Sequence, residues 1–539
     1  MPKHTILHEN WDYVIIGSGF GGAVSAMRLA EKGYKVLVIE KGKKWKAEDF
    51  PKSNWNLKKY LWIPLLKFFG FQQLTFFKKV FVLSGVGFGG GSLVYANTHM
   101  IPDKKIFQNP AWSPKIDWEK DFFPFYEIAQ KMLGTTLYPY EEIEDLYLKE
   151  VAKKFHAENT YQQVPVGVYF GDTHVEKDPY FHGLGPKRKG CIRCAGCMVG
   201  CRFNAKNTLD KNYLYFAEYF GAQFLLEQKV TKIEYDEVNQ SYTILTKGTT
   251  RSQNYQIKTK GIVLSAGVLG TLEILLAQKY HYKTLPNLSD RLGEQIRTNS
   301  EMIAGVTCTD KKVNHGVAIT SVFNADESTH IEVVKYPDGS GLMGRLGVLA
   351  TGNGTPLVRT IKLIGNILTQ PITFVRTILN FKGASNTVIL LIMQSLDSSL
   401  RMKWKKSWGG SLTLESEDGK KVPSYIEIGQ KVLLEYAQIA KGIPMNAAPE
   451  VIWGMSTTAH ILGGVPMGDT VHEGVINENF QVHGYPNFYI LDGSIIQSNL
   501  GVNPSLTITA LAEFAMSKIP EHPHNTNTPL ENILRELKS

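Results

Sequence analysis

A glycine-rich turn between two apolar runs constrains the fold of this chain more than any other stretch. The run WDYVII at residues 11–16 is followed by GSGFGG, then by AVSAMRLAEKG, and then by KVLVIEKG. The short apolar runs predict buried strands, and the apolar spacing between them is typical of a helix. The order strand, glycine turn, helix, strand predicts a βαβ unit that binds a dinucleotide.

Four residues of this unit are candidates for dinucleotide contacts. Gly17 permits the tight turn, Gly19 lets the backbone approach a pyrophosphate, and Gly22 lets the helix pack against the strand. The phosphates then meet free N–H groups at the helix N-terminus. Glu40 ends the second run, where a carboxylate accepts hydrogen bonds from both ribose hydroxyls and repels a 2′-phosphate. The motif disfavours NADP and leaves NAD and FAD open.

The size and charge of the chain limit the classes of protein it can be. At 539 residues and 43% hydrophobic it exceeds the roughly 250 to 300 residues at which one core stops growing, so we expect two domains. Four of its five cysteines cluster and no signal-peptide pattern is visible, which favours a cytoplasmic enzyme. A formal net charge of +9 suits an anionic membrane surface or a nucleic acid. Without a nucleic-acid-binding motif, we expect no nucleic acid as a partner.

Further motifs select among dinucleotide enzymes. Residues 85–97 read GVGFGGGSLVYAN, residues 263–278 read VLSAGVLGTLEILLAQ, and His460 stands in AHILGG. A DGS triplet at 492–494 and GVNPSLTITALAE at 501–513 follow. Together with the first glycine-rich turn, this ordered set resembles the glucose-methanol-choline (GMC) oxidoreductase family, and most closely its cholesterol-oxidase-like branch. The resemblance covers most of the chain and implies an FAD-dependent oxidoreductase.

The resemblance also implies which further residues hold the FAD. Val230 stands where family members contact the adenine end through the backbone. Asp492 and Gly493 correspond to residues near the pyrophosphate and ribityl chain, and Asn503 and Pro504 to residues beside the isoalloxazine ring. The second glycine-rich loop is suited to backbone contact with a flat ring or a phosphate. Its candidate residues are Gly85, Gly90, Gly91 and Ser92.

Asn503 and Pro504 also predict local structure. Proline is favoured at the first helical position and asparagine at the N-cap, and the following SLTITALAEFAMSKI has helical and apolar character. We therefore expect a helix that begins at Pro504 with Asn503 as its cap. If its N-terminus faces the flavin pyrimidine edge, the partial positive charge stabilises the anion that hydride transfer creates, by up to about 2 kcal/mol.

His460 and Asn503 are the candidate catalytic residues. Alcohol oxidation needs one acceptor for the hydroxyl proton and another for the carbinol hydride, which the flavin N5 takes. The family's catalytic histidine stands in an H-x-x-G-G pattern that His460 reproduces, and Asn503 would orient the hydroxyl. The expected partners are a lipophilic alcohol (a sterol, a steroid or a long-chain alcohol) and molecular oxygen or another electron acceptor. An FAD-dependent photodecarboxylase or lyase on the same fold is the alternative.

One position departs from the cholesterol-oxidase pattern. In those enzymes a glutamate near the end of a Gly-Leu-Glu stretch moves steroid ring protons during double-bond isomerisation. The nearest stretch here is GSGLM, which places Met343 at that position over the substrate. Because a thioether cannot carry a proton, this position disfavours isomerisation and leaves oxidation by His460 intact.

The clustered cysteines have the C-x2-C-x2-C-x3-C spacing of bacterial ferredoxins; they are Cys191, Cys194, Cys197 and Cys201. In two-cluster ferredoxins the fourth cysteine serves the other cluster, and this chain has no second run. One iron–sulfur cluster, completed by Cys201 or Cys308, and a tetrathiolate zinc site are therefore open interpretations. We favour a metal-free cysteine-rich loop beside the FAD, because similar segments occur in cholesterol-oxidase-like and long-chain-alcohol-oxidising relatives.

Two apolar, basic segments are candidates for membrane contact. Residues 60–83 are rich in aromatics and lysines, but Pro64 and Gly70 make the segment too broken for a membrane span. Residues 356–382 have the pattern of an interfacial amphipathic helix, with apolar residues at Leu357, Ile361, Ile364 and Leu368. Packing inside the substrate domain is an equally weighted alternative. Membrane contact would place a cytoplasmic enzyme peripherally on the inner face of the membrane.

We predict an α/β fold with a Rossmann-type FAD-binding domain and a discontinuous substrate-binding domain. Alternating runs such as HIEVVKY, TVILLIMQSL and SLTLESE predict a mixed or antiparallel sheet that floors the pocket. The FAD-binding domain comprises residues 1–45, 80–105, 190–300 and 455–520. The substrate-binding domain and its cover comprise residues 46–79, 106–189 and 301–454, and residues 521–539 form a flexible tail.

Overall fold

The computed structural model describes residues 5–378, 380, 383–405, 410–417 and 422–538. Its strands form two large sheets and several small ribbons. In chain order the strands are β1 Thr5–Ile16, β2 Val36–Ile39, β3 Trp62–Ile63, β4 Phe68–Phe69, β5 Gln72–Phe76, β6 Val80–Gly85, β7 Thr136–Leu137, β8 Gln162–Gln163, β9 Pro165–Val166, β10 Gln223–Leu225, β11 Gln228–Asp236 and β12 Ser241–Gly248. They continue with β13 Tyr255–Leu264, β14 Met302–Thr307, β15 Ile319–Asn324, β16 Thr329–Val334, β17 Gly347–Leu349, β18 Thr387–Gln394, β19 Leu400–Lys405, β20 Ser411–Ser416, β21 Ile443–Ala447, β22 Ser456–Thr458 and β23 Phe488–Ile490.

The α-helices lie between and around these strands. They are α1 Phe20–Glu31, α2 Leu57–Tyr60, α3 Pro124–Met132, α4 Ile143–Lys154, α5 Tyr213–Tyr219, α6 Gly267–Ala277, α7 Pro356–Thr369, α8 Pro371–Ile378, α9 Gly383–Asn386, α10 Glu427–Ala440, α11 Ala448–Ile452, α12 Ser505–Ser517 and α13 Leu530–Lys538. Short 3-10 and π turns join several of them.

The first seven-stranded sheet carries the predicted βαβ unit. Strand β1 lies between β2 and β13 and is parallel to both, and β10 and β23 add parallel strands next to β2 and β13. Strands β11 and β12 extend the sheet by antiparallel pairing. All four residues of β2 are buried, as expected of a parallel strand covered on both faces.

Helix α1 ties the N-terminal unit to the C-terminal motif. Every residue of α1 except Arg28 is buried, and α1 packs against α5 and α12. Arg28 Nε donates to Glu513 Oε2 of α12 at 2.7 Å. Because α12 directly follows Pro504, this contact brings the two motifs to one side of the first sheet.

The second seven-stranded sheet is antiparallel throughout, in the order β17-β21-β14-β18-β16-β15-β8. The predicted runs HIEVV and TVILLIMQ form its strands β16 and β18. The run SLTLES forms β20, which pairs with β19 in a separate two-stranded ribbon. Its assignment to the large sheet was wrong, because a half-exposed hairpin has the same alternation as a half-buried sheet strand.

The strands of each large sheet come from different parts of the chain. Those of the first sheet fall within residues 1–45, 190–300 and 455–520, and those of the second within 106–189 and 301–454. The domain boundaries themselves remain a prediction.

Residues 521–538 are not a flexible tail, so that prediction was wrong; residue 539 lies outside the described residues. Helix α13 buries Leu530 and Leu534 against the core of the first sheet. The Leu530 N–H donates to Glu31 Oε1 of α1 at 2.6 Å, and Asn527 Nδ2 donates to Ala30 O at 3.0 Å. The polar run before α13 favoured a flexible tail, and the short amphipathic helix that follows it was not predicted.

The two apolar, basic segments fold differently from each other. Residues 60–83 contain the short strands β3 to β5 and the start of β6. Leu65, in the 3-10 turn between β3 and β4, and Phe76, at the end of β5, project into solvent. Residues 356–378 form α7 and α8, while positions 379, 381 and 382 of the predicted segment lie outside the described residues. In the part of the chain that the structure describes, no helix is both long and apolar enough to cross a membrane.

Candidate active site

The first glycine-rich turn forms a cradle that excludes side chains. Gly17 has a φ of +99°, and a Cβ placed on it would lie 2.3 Å from Ser265 O. A Cβ on Gly22 would lie 2.0 Å from Gly17 O, because α1 packs directly on the turn. A Cβ on Gly19 would meet nothing nearer than 4.0 Å. Gly19 therefore borders open space at the start of α1, where a phosphate can approach the backbone.

Glu40 follows β2 and is fixed at the wall of a cavity of about 120 Å³. Its Oε2 accepts hydrogen bonds from the N–H (3.1 Å) and hydroxyl (2.8 Å) of Ser18, and its Oε1 accepts one from Gly42 N (2.9 Å). Val230, on β11, lines the same cavity and is buried. The carboxylate is thus held where a dinucleotide bound over the Gly19 backbone would place a ribose.

The second glycine-rich loop packs on the first. Gly90 has a φ of +51°, and a Cβ on it would lie 2.7 Å from Gly19 Cα. Gly85 and Gly91 line both the small cavity and a larger one of about 640 Å³. The hydroxyl of Ser92 hydrogen-bonds two backbone groups, Gly89 O (2.7 Å) and Leu209 N (3.1 Å). Ser92 shapes the loop and, among the described residues, lines neither cavity.

Asp492 and Gly493 lie on the wall of the larger cavity. Asp492 Oδ1 accepts from the N–H (2.8 Å) and hydroxyl (2.6 Å) of Ser494, and Oδ2 accepts from Thr271 Oγ1 (2.5 Å). Burial raises the pKa of Asp492, and these hydrogen bonds oppose the rise. The side chain is therefore committed to holding the loop that carries Gly493.

Helix α12 begins at Ser505, and Asn503 does not cap it, so the predicted cap was wrong. Pro504 occupies the N-cap position without a side-chain hydrogen bond, because the Asn503 side chain is directed to Glu332. The helix N-terminus still borders the larger cavity, which Pro504, Ser505 and Ile508 line.

His460 lines the larger cavity and is held by a buried carboxylate. Its Nδ1 hydrogen-bonds Glu301 Oε1, and Glu301 Oε2 accepts from Ala459 N at 3.0 Å. Burial alone lowers the pKa of His460, but the charge and hydrogen bond of fully buried Glu301 outweigh that effect, so the pKa is raised. Among the described residues Nε2 has no hydrogen bond, which leaves this nitrogen for a ligand.

Asn503 is held by a second buried carboxylate, Glu332 of β16. Asn503 Nδ2 donates to Glu332 Oε2 at 3.3 Å, and Glu332 Oε1 lies 3.3 Å from His330 Nε2. The charge of Glu332 also raises the pKa of His460. Asn503 Oδ1 is buried without a partner, so a ligand at this wall could satisfy it.

Glu301 and Glu332 were missed by the sequence analysis, and Met343 was misplaced. Glu301 lies 159 positions before His460, and Glu332 lies 171 before Asn503. Of the two, only Glu332 has a local signal, because it is the acidic residue inside the apolar run HIEVV of β16. Met343 begins a 3-10 turn and does not line the cavity within the described residues. Its expected place over the substrate was therefore wrong.

The four clustered cysteines line a separate cavity of about 310 Å³, and all four thiols are free. Burial and the neighbouring sulfurs raise the pKa of Cys194 to about 11. Across the described residues, no three His, Cys, Asp or Glu side chains are arranged around a single metal ion. The structure therefore offers no tetrathiolate zinc site here.

The two connected cavities fit an extended FAD. They share the walls formed by Gly85, Gly91 and residues 265–267, so one ligand can occupy both. The small end offers glycine backbone and Glu40, as a phosphate and a ribose require. The large end contains two buried oxygens without partners, Thr98 Oγ1 and Asn503 Oδ1, which a polar ring system could satisfy.

Comparison with known proteins gives consistent matches. Two family models, both described as GMC oxidoreductase, match residues 11–278 and 445–512. The chain is 40% identical to a cholesterol oxidase of Acinetobacter baumannii, over 96% of this chain and 95% of that protein. It is 39% identical to a cholesterol oxidase of Mycobacterium tuberculosis (strain ATCC 25618 / H37Rv), over 97% and 93%. A long-chain-alcohol oxidase of Arabidopsis thaliana is 25% identical, over 95% of this chain and 68% of that protein.

A solved structure of a pyridoxine 4-oxidase from Mesorbium loti superposes with a TM-score of 0.64 at 14% identity, covering 96% of this chain and 100% of that one. At this identity the likeness concerns the fold alone. The predicted α/β fold, family resemblance and FAD dependence are confirmed. The chain belongs to the GMC oxidoreductase family, and it is an FAD-dependent oxidoreductase that acts on the CH–OH group of an alcohol.

Proposed function

We propose that this protein oxidises the hydroxyl group of a sterol, a steroid or a long-chain alcohol, with His460 as base. The observation that carries the proposal is the buried pair of His460 and Glu301 on the wall of the larger cavity. The relatives named cholesterol oxidase and long-chain-alcohol oxidase support these substrate classes. The matched relatives give no support to a photodecarboxylase or a lyase, and we do not retain that alternative.

Glu301 selects the tautomer of His460 that can act as a base. The Glu301 carboxylate accepts a hydrogen bond from Nδ1–H of His460, so the proton of the neutral imidazole stays on Nδ1 and the lone pair is on Nε2. Nε2 can then take the proton of the substrate hydroxyl. The imidazolium that results is stabilised by Glu301, and burial strengthens that attraction. FAD, when bound, supplies the N5 atom that receives the hydride.

We propose that Asn503 orients the substrate oxygen. Glu332 accepts one amide hydrogen and thereby fixes the plane of the Asn503 amide. The second N–H and Oδ1 of Asn503 remain for the hydroxyl, whose proton then points to His460 Nε2. The adjacent N-terminus of α12 adds a partial positive charge to the same wall.

The remaining wall of the larger cavity suits a hydrocarbon. Ile319, Val334 and Leu391 line it from strands β15, β16 and β18 of the second sheet. Trp404 and Leu412 line it from the hairpin of β19 and β20. Such a wall gains roughly 25 cal/mol for each Å² of apolar surface that it removes from water. It therefore favours a large apolar alcohol over a sugar.

Anaerobic reduction of the flavin tests this function directly. The FAD-loaded protein is mixed in the dark with cholesterol, a steroid alcohol or a long-chain primary alcohol, and the loss of oxidised-flavin absorbance is followed. We expect at least one alcohol class to bleach the flavin. The corresponding ketone of the sterol or steroid, or the corresponding alkane of the primary alcohol, has no hydroxyl and should leave the flavin oxidised. If none of the three alcohol classes bleaches the flavin, the proposal is overturned.

We propose oxygen as the acceptor of the electrons, since the named relatives are oxidases. Admitting air to the alcohol-reduced protein should restore the oxidised-flavin spectrum and release hydrogen peroxide. If the flavin stays reduced in air, oxygen is not the acceptor and another molecule must take the electrons.

We also propose that α7 and α8 contact the inner face of an anionic membrane. Their outward side is apolar and exposed, comprising Leu357, Ile361, Ile364, Leu368, Ile372 and Val375, with Leu368 75% exposed. The opposite side is anchored by buried Arg359, whose Nη1 donates to Ser424 O and Glu450 O at 3.0 Å each. An apolar face on a chain of net charge +9 matches a bilayer that contains acidic lipids.

This surface is connected to the active site. Gly454 lies against Pro356 of α7 and precedes β22, the strand that leads to His460. Sedimentation with vesicles of anionic lipid should carry the protein down, and the double variant Ile361→Ser/Leu368→Ser should stay in the supernatant. Leu434→Ser, which changes a half-exposed leucine on α10, serves as the control. A wild-type protein that fails to sediment with these vesicles would exclude the contact.

A further inference from the structure

Four cysteines border one cavity that the proposed alcohol oxidation does not use. They are Cys191, Cys194, Cys197 and Cys201, and the cavity has a volume of about 310 Å³. Their C-x2-C-x2-C-x3-C spacing is the one with which bacterial ferredoxins ligate [4Fe–4S] clusters. In two-cluster ferredoxins the fourth cysteine ligates the other cluster. Here Cys201 borders the same volume as the first three.

Backbone N–H groups donate to two of the four sulfurs. The pairs are Arg193 N to Cys191 Sγ (3.3 Å) and Ala205 N to Cys201 Sγ (3.4 Å). Hydrogen bonds to ligating sulfurs stabilise thiolates and tune the potential of an iron–sulfur cluster. The loop reaches this arrangement with Arg193 and Ala195 in the left-handed region, at φ of 56° and 54°. Non-glycine residues adopt that conformation only where their surroundings enforce it.

The charge of the cavity wall suits an anionic group. The cationic residues that line it are Lys52, Arg193, Arg202, Lys206 and Lys312, and its one acidic lining residue is Asp338. Four thiolates around a [4Fe–4S] core carry net negative charge, which nearby cations stabilise most strongly where water is excluded. A wall of this sign would not select a free divalent cation.

A site for one metal ion and a site for a cluster make different demands on the cysteines. Within the described residues no three His, Cys, Asp or Glu side chains are arranged around a single ion. The thiolates of a cuboidal cluster bind its separate corners, so this finding excludes a mononuclear site and does not bear on a cluster. Cys308 is buried in the core of the second sheet, with its Sγ 3.9 Å from Ala440 O. Cys308 does not border the cavity, so Cys201 is the remaining candidate for a fourth ligand.

We propose that Cys191, Cys194, Cys197 and Cys201 hold a [4Fe–4S] cluster in this cavity, in place of the metal-free loop that the sequence favours. The site adjoins the flavin and substrate cavity, because Met198, the residue after Cys197, lines the larger cavity. Lys206 Nζ links the two by donating to Cys197 O (2.8 Å) and Tyr95 O (2.9 Å), and Tyr95 lines the larger cavity. One layer of residues separates the cluster site from the proposed flavin site.

Metal and sulfide analysis of the full chain tests the proposal. The protein is purified anaerobically from cells supplied with iron and sulfur, and iron, zinc, acid-labile sulfide and FAD are measured on the same sample. We expect about four irons and about four sulfides per chain. Reduction with dithionite should produce a low-temperature electron paramagnetic resonance signal of a reduced cluster.

Single substitutions assign the ligands. Cys194→Ser and Cys197→Ser should each lose most of the iron and the resonance signal, whereas Cys308→Ser, a buried cysteine outside the cavity, should keep both. Wild-type protein that contains FAD and is bleached by alcohol but holds less than about a tenth of the expected iron would overturn the cluster. Stoichiometric zinc in place of iron would overturn it equally. The FAD and bleaching measurements keep this result separate from the test of alcohol oxidation.

Discussion

The two ends of the connected cavities are built by different means. At the small end, Gly17 and Gly22 let backbone segments approach closer than any side chain permits, and Glu40 is fixed by backbone and hydroxyl donors. At the large end, His460 and Asn503 are each paired with a buried carboxylate. Shape governs the first end and charge governs the second. Substitutions at the first should therefore remove the cofactor, and those at the second should leave it bound and change the rate.

Gly22→Ala should have the largest effect, because it breaks the end governed by shape. The new Cβ would lie 2.0 Å from Gly17 O, a backbone atom, so α1 must shift, at a cost of about 1–3 kcal/mol. We expect protein purified with little flavin and a lower unfolding temperature, measured by absorbance and thermal denaturation. Gly365→Ala, where a Cβ meets nothing within 4 Å, is the control and should keep its flavin. Full flavin content in Gly22→Ala would contradict the close-packing account.

His460→Ala should leave the cofactor and remove the base. We expect normal FAD content and anaerobic reduction by alcohol slowed roughly 10²- to 10⁴-fold, as is usual for loss of a general base. Stopped-flow absorbance measures the rate, and His524→Ala, an exposed histidine, is the control. An unchanged reduction rate would remove His460 from the mechanism.

Glu301→Gln should change the pH dependence as well as the rate. His460 acts as a base when neutral, so the rate rises with pH through its pKa, which Glu301 raises. Removing the Glu301 charge lowers the pKa of His460. The rising limb of the plot of reduction rate against pH should therefore move to lower pH. The plateau should fall by roughly 10- to 10³-fold, because the imidazolium loses its counter-charge.

The pH profile of flavin reduction in Glu301→Gln measures both effects at once. Glu415→Gln is the control, since Glu415 forms an exposed ion pair with Lys403 and, among the described residues, does not line the cavity. A limb that stays in place or moves to higher pH would show that Glu301 does not set the pKa of His460.

Glu332→Gln should have the smallest effect of the four. A neutral amide can still accept a hydrogen bond from Asn503, but it removes one of the charges that raise the pKa of His460. We expect a fall in kcat/KM of about tenfold or less, with a small shift of the rising limb to lower pH. A loss as large as that of His460→Ala would show that Glu332 itself reacts with the substrate.

The same division explains which parts of the site could be predicted. The adenosine end depends on neighbours in sequence, so the turn from Gly17 to Gly22 and the position of Glu40 were visible in one stretch. The alternation that predicted β16 and β18, and the helical spacing of α7, are likewise local signals. Local patterns of this kind can be interpreted without knowledge of the tertiary fold.

The carboxylates at the catalytic end could not be predicted in this way. Glu301 and Glu332 reach His460 and Asn503 only because the second sheet brings distant segments against the first. The same long-range contact redirected the Asn503 side chain from a helix cap to Glu332. Met343 was matched by a short letter pattern, which carries no information on the direction of the chain at that point.

The contact of α12 and α13 with α1 has a consequence for synthesis on the ribosome. Glu513 binds Arg28 and the Leu530 N–H binds Glu31, so α1 of the first βαβ unit is contacted by residues translated 485 and 499 positions later. Domains fold as units as the chain emerges, but this one lacks its covering helices until residue 538 has left the exit tunnel. We therefore expect the cofactor to bind late in synthesis, once these helices cover the nucleotide cradle.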